Sequence, residues 1–286
     1  MILNDCIPVK QRRLIIFLPP MRCKILSKVL FSGILFFYLP YQSMAWGMLG
    51  HRIVGEIASS YLTPKARKAI QQILGTESVA IASNWADFIK SDNDYRYLNS
   101  WHYINFDSAL SYSQMQNYLK KDTATDAYTK LNFLIKQLKS KSLPQNEKVM
   151  YLRLLIHIAG DVHQPFHSAR KGDTGGNDIN VSWFNQSSNI HRVWDEQLID
   201  FQKLSYTEYT DAINHVTQKQ KTSWQKQPVS KWLYDSYSIS EQLHQELRQP
   251  DQKLSFQYNF KHIETLNEQL VKGGVHLAAL LNKIFG

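Results

Sequence analysis

The chain has 286 residues, 43% of them hydrophobic and 20% charged, with 12 Gly and 9 Pro. Those proportions exclude a collagen-like repeat, a low-complexity polymer and a fully disordered chain, and the length allows a sizeable core without disulfides. The formal charge is +9, but its distribution must be known before it is read as a nucleic-acid surface.

Residues 1–45 read as a targeting segment. Arg22, Lys24 and Lys28 form a positive region, an apolar run covers 29–39, and Ser43 and Ala45 are small residues at the −3 and −1 positions before Trp46. Met21 offers an alternative start, which would make 1–20 an extension. The competing reading is a membrane anchor, but the run is short for a span. Cleavage before Trp46 is therefore expected, leaving one catalytic domain over 46–286, exported to the periplasm or secreted, with no stable membrane insertion. The segment holds six basic residues and one acid, so its removal lowers the charge to +4. It also removes Cys6 and Cys23, while all ten histidines remain. An exported chain without cysteine is held by its core or by metal, and His/Asp sites become the natural candidates.

The rest reads as one all-α, multi-helix domain with a minor β-hairpin. Thr63-Pro64 is an N-cap followed by Pro at the first helical position; it opens a helix over 65–74 that Gly75 closes. Apolar spacing predicts further helices over 79–90, 124–140, 145–162, 188–202, 207–218, 229–247 and 259–284. One strand is expected over 179–184, with a turn at 185–189. The Gly-rich stretch 168–178 (SARKGDTGGND) lacks the ending of a phosphate-binding P-loop, and it reads as an active-site loop.

Four features carry chemistry. In His157-Ile-Ala-Gly-Asp161-Val-His163-Gln-Pro-Phe-His167, His157 and Asp161 are four residues apart. On a helix they share a face, and their neighbours Leu154, Leu155, Ile156 and Ile158 predict that it is buried. A buried carboxylate needs a partner or a cation; a satisfied core His–Asp pair is the plainer alternative. His191 and Asp195 repeat the spacing, which suits a cation held by imidazole and carboxylate. Asp87 lies among apolar residues in Asn84-Trp85-Ala86-Asp87-Phe88-Ile89-Lys90, and His102 lies between Trp101 and Tyr103. Finally, Trp46 as a new N-terminus would offer an amine and a carbonyl in a five-membered chelate, with His51 completing the site. The alternative is that Trp46 merely packs and His51 starts a helix.

With these residues in view, the chain resembles the trinuclear-zinc, single-strand-specific nucleases of the S1/P1 type, part of the phospholipase C/nuclease superfamily. The resemblance covers essentially all of 46–286 and implies three zinc ions. One would be held by Asp87, His102, His157 and Asp161. A second would be held by His167, His191 and Asp195. The third would take the amine and carbonyl of Trp46, His51 and Asp161, so that Asp161 bridges two metals. The implied activity is cleavage of single-stranded DNA and RNA to 5′-phosphates, with 3′-nucleotidase activity, by a monomer. Asp161 would bridge the metals and Asp87 would orient the attacking water. Lys90 would neutralise phosphate where the family often has Arg, as a point charge instead of a planar fork. Asn105 stands where fungal members carry a base-reading Asp, and an amide both donates and accepts. Tyr103 is placed to stack on a base or simply to pack. Asn177 contacts the nucleotide or caps its loop. His163 is expected behind the ligands.

A zinc phospholipase C acting on lipid headgroups is the rival enzyme. The short gap from Trp46 to His51, and Asp195 where phospholipases usually have Glu, favour the nuclease. A non-catalytic zinc-binding protein would close every coordination position with protein atoms.

Overall fold

The computed structural model describes residues 46–106, 109–247 and 252–286. The targeting segment expected over 1–45 lies outside the described residues. Among the described residues, no helix is long and apolar enough to cross a membrane.

Helix α1 (Met48–Ser60) buries His51, Ile53, Val54, Ile57 and Ala58 along one side. It packs on the C-terminal helix, α13 (Phe256–Phe285). Gly274 of that helix makes the approach possible: a Cβ there would sit 2.3 Å from Ile57 Cγ2. Helix α2 (Pro64–Leu74) starts and ends as the sequence predicts, with Thr63 capping the Ala66 N–H and Gly75 closing it at φ 68°.

The helix expected over 79–90 is instead two short ones, α3 (Val79–Ala82) and α4 (Trp85–Ile89). The break falls at Ser83-Asn84, where the Ser83 carbonyl is taken by the Nδ1–H of His157, 2.6 Å away. A 3₁₀ segment follows over Asn93–His102 and leads into strand β1 (Ile104–Phe106).

Helix α5 (Tyr112–Lys121) has no counterpart among the elements the apolar spacing predicts, although Ser111 and Gln114 form a reciprocal capping box. Helix α6 is Ala127–Leu138, and α7 is Gln145–Asp161, buried continuously from Leu154 to its end. Strand β2 (Ser168–Arg170) runs parallel to β1. The expected hairpin is β3 (Asn180–Trp183) with antiparallel β4 (Gln186–Asn189). Its two turn residues, Phe184 and Asn185, both have positive φ, as a twisted two-residue hairpin requires. The residues expected to form the turn are therefore mostly strand β4.

The expected helix over 188–202 begins later, because Asn189 pairs with Asn180 in the ladder and caps the Arg192 N–H. Helix α8 (Ile190–Arg192) passes through a π-helical stretch, Val193–Gln197, into α9 (Leu198–Asp200). The segment expected as one helix over 207–218 is also split. Helix α10 (Tyr206–Ile213) stops at Asn214, and Thr217 caps α11 (Gln218–Gln225) with Gln220. Helix α12 (Val229–Glu246), strand β5 (Gln252–Leu254, parallel to β3) and α13 (Phe256–Phe285) complete the fold. The architecture is helical with small accessory sheets, as expected.

Candidate metal centre

Six separate pieces of chain deliver side chains to one buried place. Helix α1 supplies His51 and α4 supplies Asp87. The 3₁₀ segment supplies His102 at its last residue, and the final two turns of α7 supply His157 and Asp161. The turn at Pro165 redirects the chain so that His167 returns to the same region, and the π-helical stretch presents Asp195 below His191. Such π bulges recur at functional sites. His191 Nε2 is 2.8 Å from Asp195 Oδ2.

Asp161 is central and fully buried. Its Oδ1 faces His51 Nε2 at 3.3 Å, and its Oδ2 faces His102 Nδ1 at 3.1 Å and His157 Nε2 at 3.2 Å. Asp87 Oδ1 lies 3.6 Å from His157 Nε2, and Asp87 Oδ2 lies 4.0 Å from His51 Nε2. The rings of His51 and His157 stack at 3.8 Å. Three groups could hold a metal ion: His51, His157 and Asp161; Asp87, His102 and His157; and His167, His191 and Asp195. Within each group the candidate ligand atoms lie within 4.8 Å of one another. Trp46 is buried at the edge, with its indole N–H donating to the Gly160 carbonyl at 2.9 Å. The Gly47 N–H donates to the Asp195 carbonyl, which docks the start of the described chain on the π stretch.

Backbone carbonyls fix how the imidazoles point. His157 Nδ1 donates to Ser83 O, His167 Nδ1 to His102 O at 2.8 Å, and His191 Nδ1 to Gly175 O at 2.6 Å. Each ring therefore turns its Nε2 lone pair inward, the arrangement that second-sphere partners impose on metal-binding histidines. Burial drives the His102 and His167 pKa values well below the ordinary range, helped by the charges of Lys90 and His191 respectively. Burial lowers His51 to about 4, against the pull of Asp87 and Asp195. Neutral rings keep a lone pair available. Asp87 behaves oppositely: burial pushes its pKa up, but His157, Lys90 and His51 outweigh this and hold it at about 2.

The donor set fits metal on a second observation. His51 Nδ1 and Nε2, Asp87 Oδ2, His102 Nε2, Asp161 Oδ1 and His167 Nε2 are buried without a hydrogen-bond partner among the described residues. Orphaned polar atoms are uncommon and costly in native interiors. Most of those among the described residues collect on positions that the family resemblance implies as ligands, with others at Asn105, Asp122, Ser168 and Thr210, and imidazole with carboxylate suits zinc.

The remaining candidates fall around this centre. Lys90 Nζ reaches Asp87 Oδ1 at 2.6 Å. Tyr103 is 43% exposed on the run into β1. Asn105 is half-buried and its Oδ1 has no partner among the described residues. Asn177 braces its own loop, donating from Nδ2 to Thr174 O at 2.8 Å. His163 stands behind the centre, donating from Nδ1 to Ala159 O and facing His276 Nδ1 at 2.7 Å through Nε2.

Sequence reasoning missed the residues that aim the candidate ligands. Gln164, fully buried, donates its amide to Asp195 Oδ1. The Gly-rich loop acts through Gly175, whose φ of 62° lets its carbonyl meet His191. A Cβ at Gly175 would also lie 2.7 Å from Phe166 O. Asp173 secures this loop by accepting from the Gly176 N–H at 3.0 Å and pairing with His244 Nε2. Burial lowers the His244 pKa, but the Asp173 contact and the Ser240 carbonyl outweigh it, so the net shift is upward; Asp173 is shifted down. The ion pair is thus intact between the lowered carboxyl value and the raised imidazole value. It is lost as pH rises through the latter, above the ordinary 6.5. A His244→Ala variant is expected to lose about tenfold in metal affinity at the His167, His191 and Asp195 group. Competition with a colorimetric chelator at pH 6 checks this. Equal affinity in wild type and variant would refute a role for the His244 contact.

The model of the family described as S1/P1 Nuclease matches residues 46–286. Endonuclease 5 of Arabidopsis thaliana is 30% identical over 281 residues, covering 87% of this chain and 93% of that protein. Nuclease S1 of Aspergillus oryzae is 28% identical, covering 86% of this chain and 94% of its own length. Nuclease P1 of Penicillium citrinum is 26% identical, covering 84% and 98%.

Proposed function

The chain belongs to the S1/P1 nuclease family, and from that membership we propose that it is a zinc-dependent endonuclease. It cleaves single-stranded DNA and RNA to 5′-phosphorylated nucleotides and releases phosphate from 3′-nucleotides. The observation that carries this reading is the convergence of three His/Asp groups in one buried centre.

Asp87, His102, His157 and Asp161 would hold one zinc, and His167, His191 and Asp195 a second. The amine and carbonyl of a Trp46 N-terminus, with His51 and Asp161, would hold the third. Asp161 supports a bridging role because its two oxygens face different histidines. Bound zinc would supply charge neutralisation of the phosphodiester and a nucleophile at neutral pH, lowering the pKa of water to about 7.

The chain's own residues supply the positioning. Asp87 stays ionised and accepts a hydrogen bond from the attacking water, aiming it at phosphorus in line with the departing 3′ oxygen. Lys90, beside Asp87, brings a positive charge to the phosphate. The P–O3′ bond breaks, giving a 3′-hydroxyl and a 5′-phosphate. Tyr103 offers an exposed ring to a base, and stacking of this kind tolerates any sequence. Asn105, half-buried two residues beyond Tyr103, carries an amide that both donates and accepts. Asn177 has its amide nitrogen engaged within the loop, which leaves its oxygen for the nucleotide. We propose export to the periplasm or beyond the cell after cleavage before Trp46, and a monomeric enzyme.

The test uses protein beginning at Trp46 and loaded with zinc. Release of 5′-mononucleotides from single-stranded DNA and RNA is expected, and it should stop on chelation. No release from zinc-loaded protein would overturn the reading, and hydrolysis of phosphatidylcholine by that sample would reassign the centre to a phospholipase C.

A further inference from the structure

Beside the metal centre, aromatic rings form a chain along the 3₁₀ segment. Trp85 meets Tyr95 edge-on at 5.9 Å, Tyr95 lies stacked with Tyr97 at 6.5 Å, and Tyr97 meets Trp101 edge-on at 5.9 Å. Trp101 continues to Phe133 at 6.3 Å, and Phe133 to Tyr151 at 5.6 Å. This row is not a closed core. Tyr97 is 53% exposed, and Trp85, Tyr95, Phe133 and Tyr151 are only partly buried, while Trp101 between them is buried and anchors the row.

Cations are interleaved with the rings. Lys130 Nζ lies 4.8 Å from the Trp101 ring centre, and the Arg153 guanidinium lies 5.5 Å from that of Trp85. Arg96, between the two tyrosines, is exposed. Of the acids nearby, Glu77 is bound to Arg153, Glu147 is hydrogen-bonded to Tyr151, Asp92 caps the 3₁₀ segment through the Asp94 N–H, and Asp94 is exposed beside Arg96, which leaves Lys130 and Arg96 as the cations nearest the exposed end of the row. The row is also tied to the centre by the chain itself. Trp85 stands two residues before Asp87, and Trp101 immediately precedes His102.

We propose that this row is a subsite for the unpaired bases of a single strand extending beyond the scissile phosphate. The exposed Tyr97 ring, flanked by partly buried rings and by the cations Arg96 and Lys130, suits a strand whose bases are accessible and whose backbone is anionic, and each stacked base contributes without sequence readout. A duplex offers no free base faces, so the row favours single strands independently of the chemistry at the metals. This inference rests on the nuclease reading and names the part of the substrate that this surface holds.

Two measurements test it on the zinc-loaded enzyme. The first compares hydrolysis of a dinucleotide with that of a 20-nucleotide single strand. Tyr97→Ala is expected to raise KM for the long strand at least fivefold while leaving kcat within twofold. The dinucleotide, which has no nucleotides beyond the two joined by the scissile phosphate, is expected to keep its KM. Tyr97→Phe is expected to restore the long-strand KM, since the ring and not the hydroxyl carries the effect, and Lys130→Ala to weaken it in the same direction. The second measurement is tryptophan fluorescence on titration with a cleavage-resistant phosphorothioate oligothymidylate. Quenching is expected in wild type, reduced in Tyr97→Ala, and absent with a duplex of the same length. An unchanged long-strand KM in Tyr97→Ala, or no quenching in an enzyme that cleaves single strands, overturns the subsite and leaves the nuclease reading intact. Tyr97-dependent quenching in a protein that cleaves no nucleic acid would support the subsite and sink the nuclease reading.

Discussion

Exhaustive removal of metal with a chelator at mildly acidic pH is expected to abolish phosphodiester hydrolysis and to lower the melting temperature by more than ~10 °C. The reason lies in how the fold is joined. Helices α1, α4 and α7, the 3₁₀ segment, the Pro165 turn and the π stretch all reach the same centre, and they reach it with polar atoms. Asp161 is completely buried and Asp195 almost so. Burial pushes both carboxyl groups above their ordinary pKa range, although His157 and His191 oppose the shift. His51, His102, Asp87 and Asp161 add orphaned donors and acceptors. Each such group opposes folding by about 1–3 kcal/mol unless something satisfies it. A cation satisfies several at once, and because no such site exists in the unfolded chain, its binding energy becomes folding energy. For a domain of this size each kcal/mol moves the midpoint by about 2–4 °C, so a net loss of only about 4 kcal/mol reaches the expected shift. Calorimetry on protein whose metal content has been verified as negligible checks this. A midpoint within 2 °C of the loaded protein would show that metal serves only the chemistry and not the fold.

Much of this candidate centre was legible in the sequence because the spacing of potential ligands is a local property. His157 with Asp161, and His191 with Asp195, announce themselves at four-residue intervals. Punctuation was equally local: Thr63-Pro64 and Gly75 bound α2 where the sequence says they should. What failed was of two kinds. Some signals were present and unused, such as the capping pairs Ser111 with Gln114 and Thr217 with Gln220, which open α5 and α11. Others have no local signature. The break between α3 and α4 exists because a carbonyl at Ser83 is claimed by His157, 74 residues away. The aim of His191 depends on a carbonyl at Gly175, and that of Asp195 on Gln164. Apolar periodicity reports which face of a helix is buried, but not which backbone groups will be taken by a distant side chain. The assignment of ligands to individual metals lies beyond spacing for the same reason. The geometry brings His157 within reach of both His51 with Asp161 and Asp87 with His102, while the family resemblance gives it to one zinc.

Replacing Asp161 by Asn is expected to cut kcat by at least ~1,000-fold, about 4 kcal/mol of transition-state stabilisation, and to lower the zinc content of the purified protein. The substitution keeps size and shape, so it tests charge and donor type alone. Asp161 Oδ1 faces His51 while Oδ2 faces His102 and His157. An amide can present an oxygen to only one of these directions. Its NH₂ group must point the other way, towards nitrogen lone pairs that would share a cation, and an N–H does not ligate metal. The two sites that Asp161 would join should therefore lose metal, while the His167, His191 and Asp195 group would keep any it holds. Stability separates this outcome from misfolding. Burial already raises the Asp161 pKa well above its ordinary value, with His157 as the main opposing influence, so a neutral side chain is no burden to the metal-free fold. Metal-free Asp161→Asn is expected to melt at or above metal-free wild type. Zinc addition should then raise its midpoint by less than it raises that of wild type. Elemental analysis, kcat on a single-stranded oligonucleotide and melting curves with and without zinc check the three expectations together. A variant that retains all its zinc and more than a tenth of wild-type kcat would show that Asp161 does not bridge metals, and would leave its burial in α7 to be explained as a paired core carboxyl.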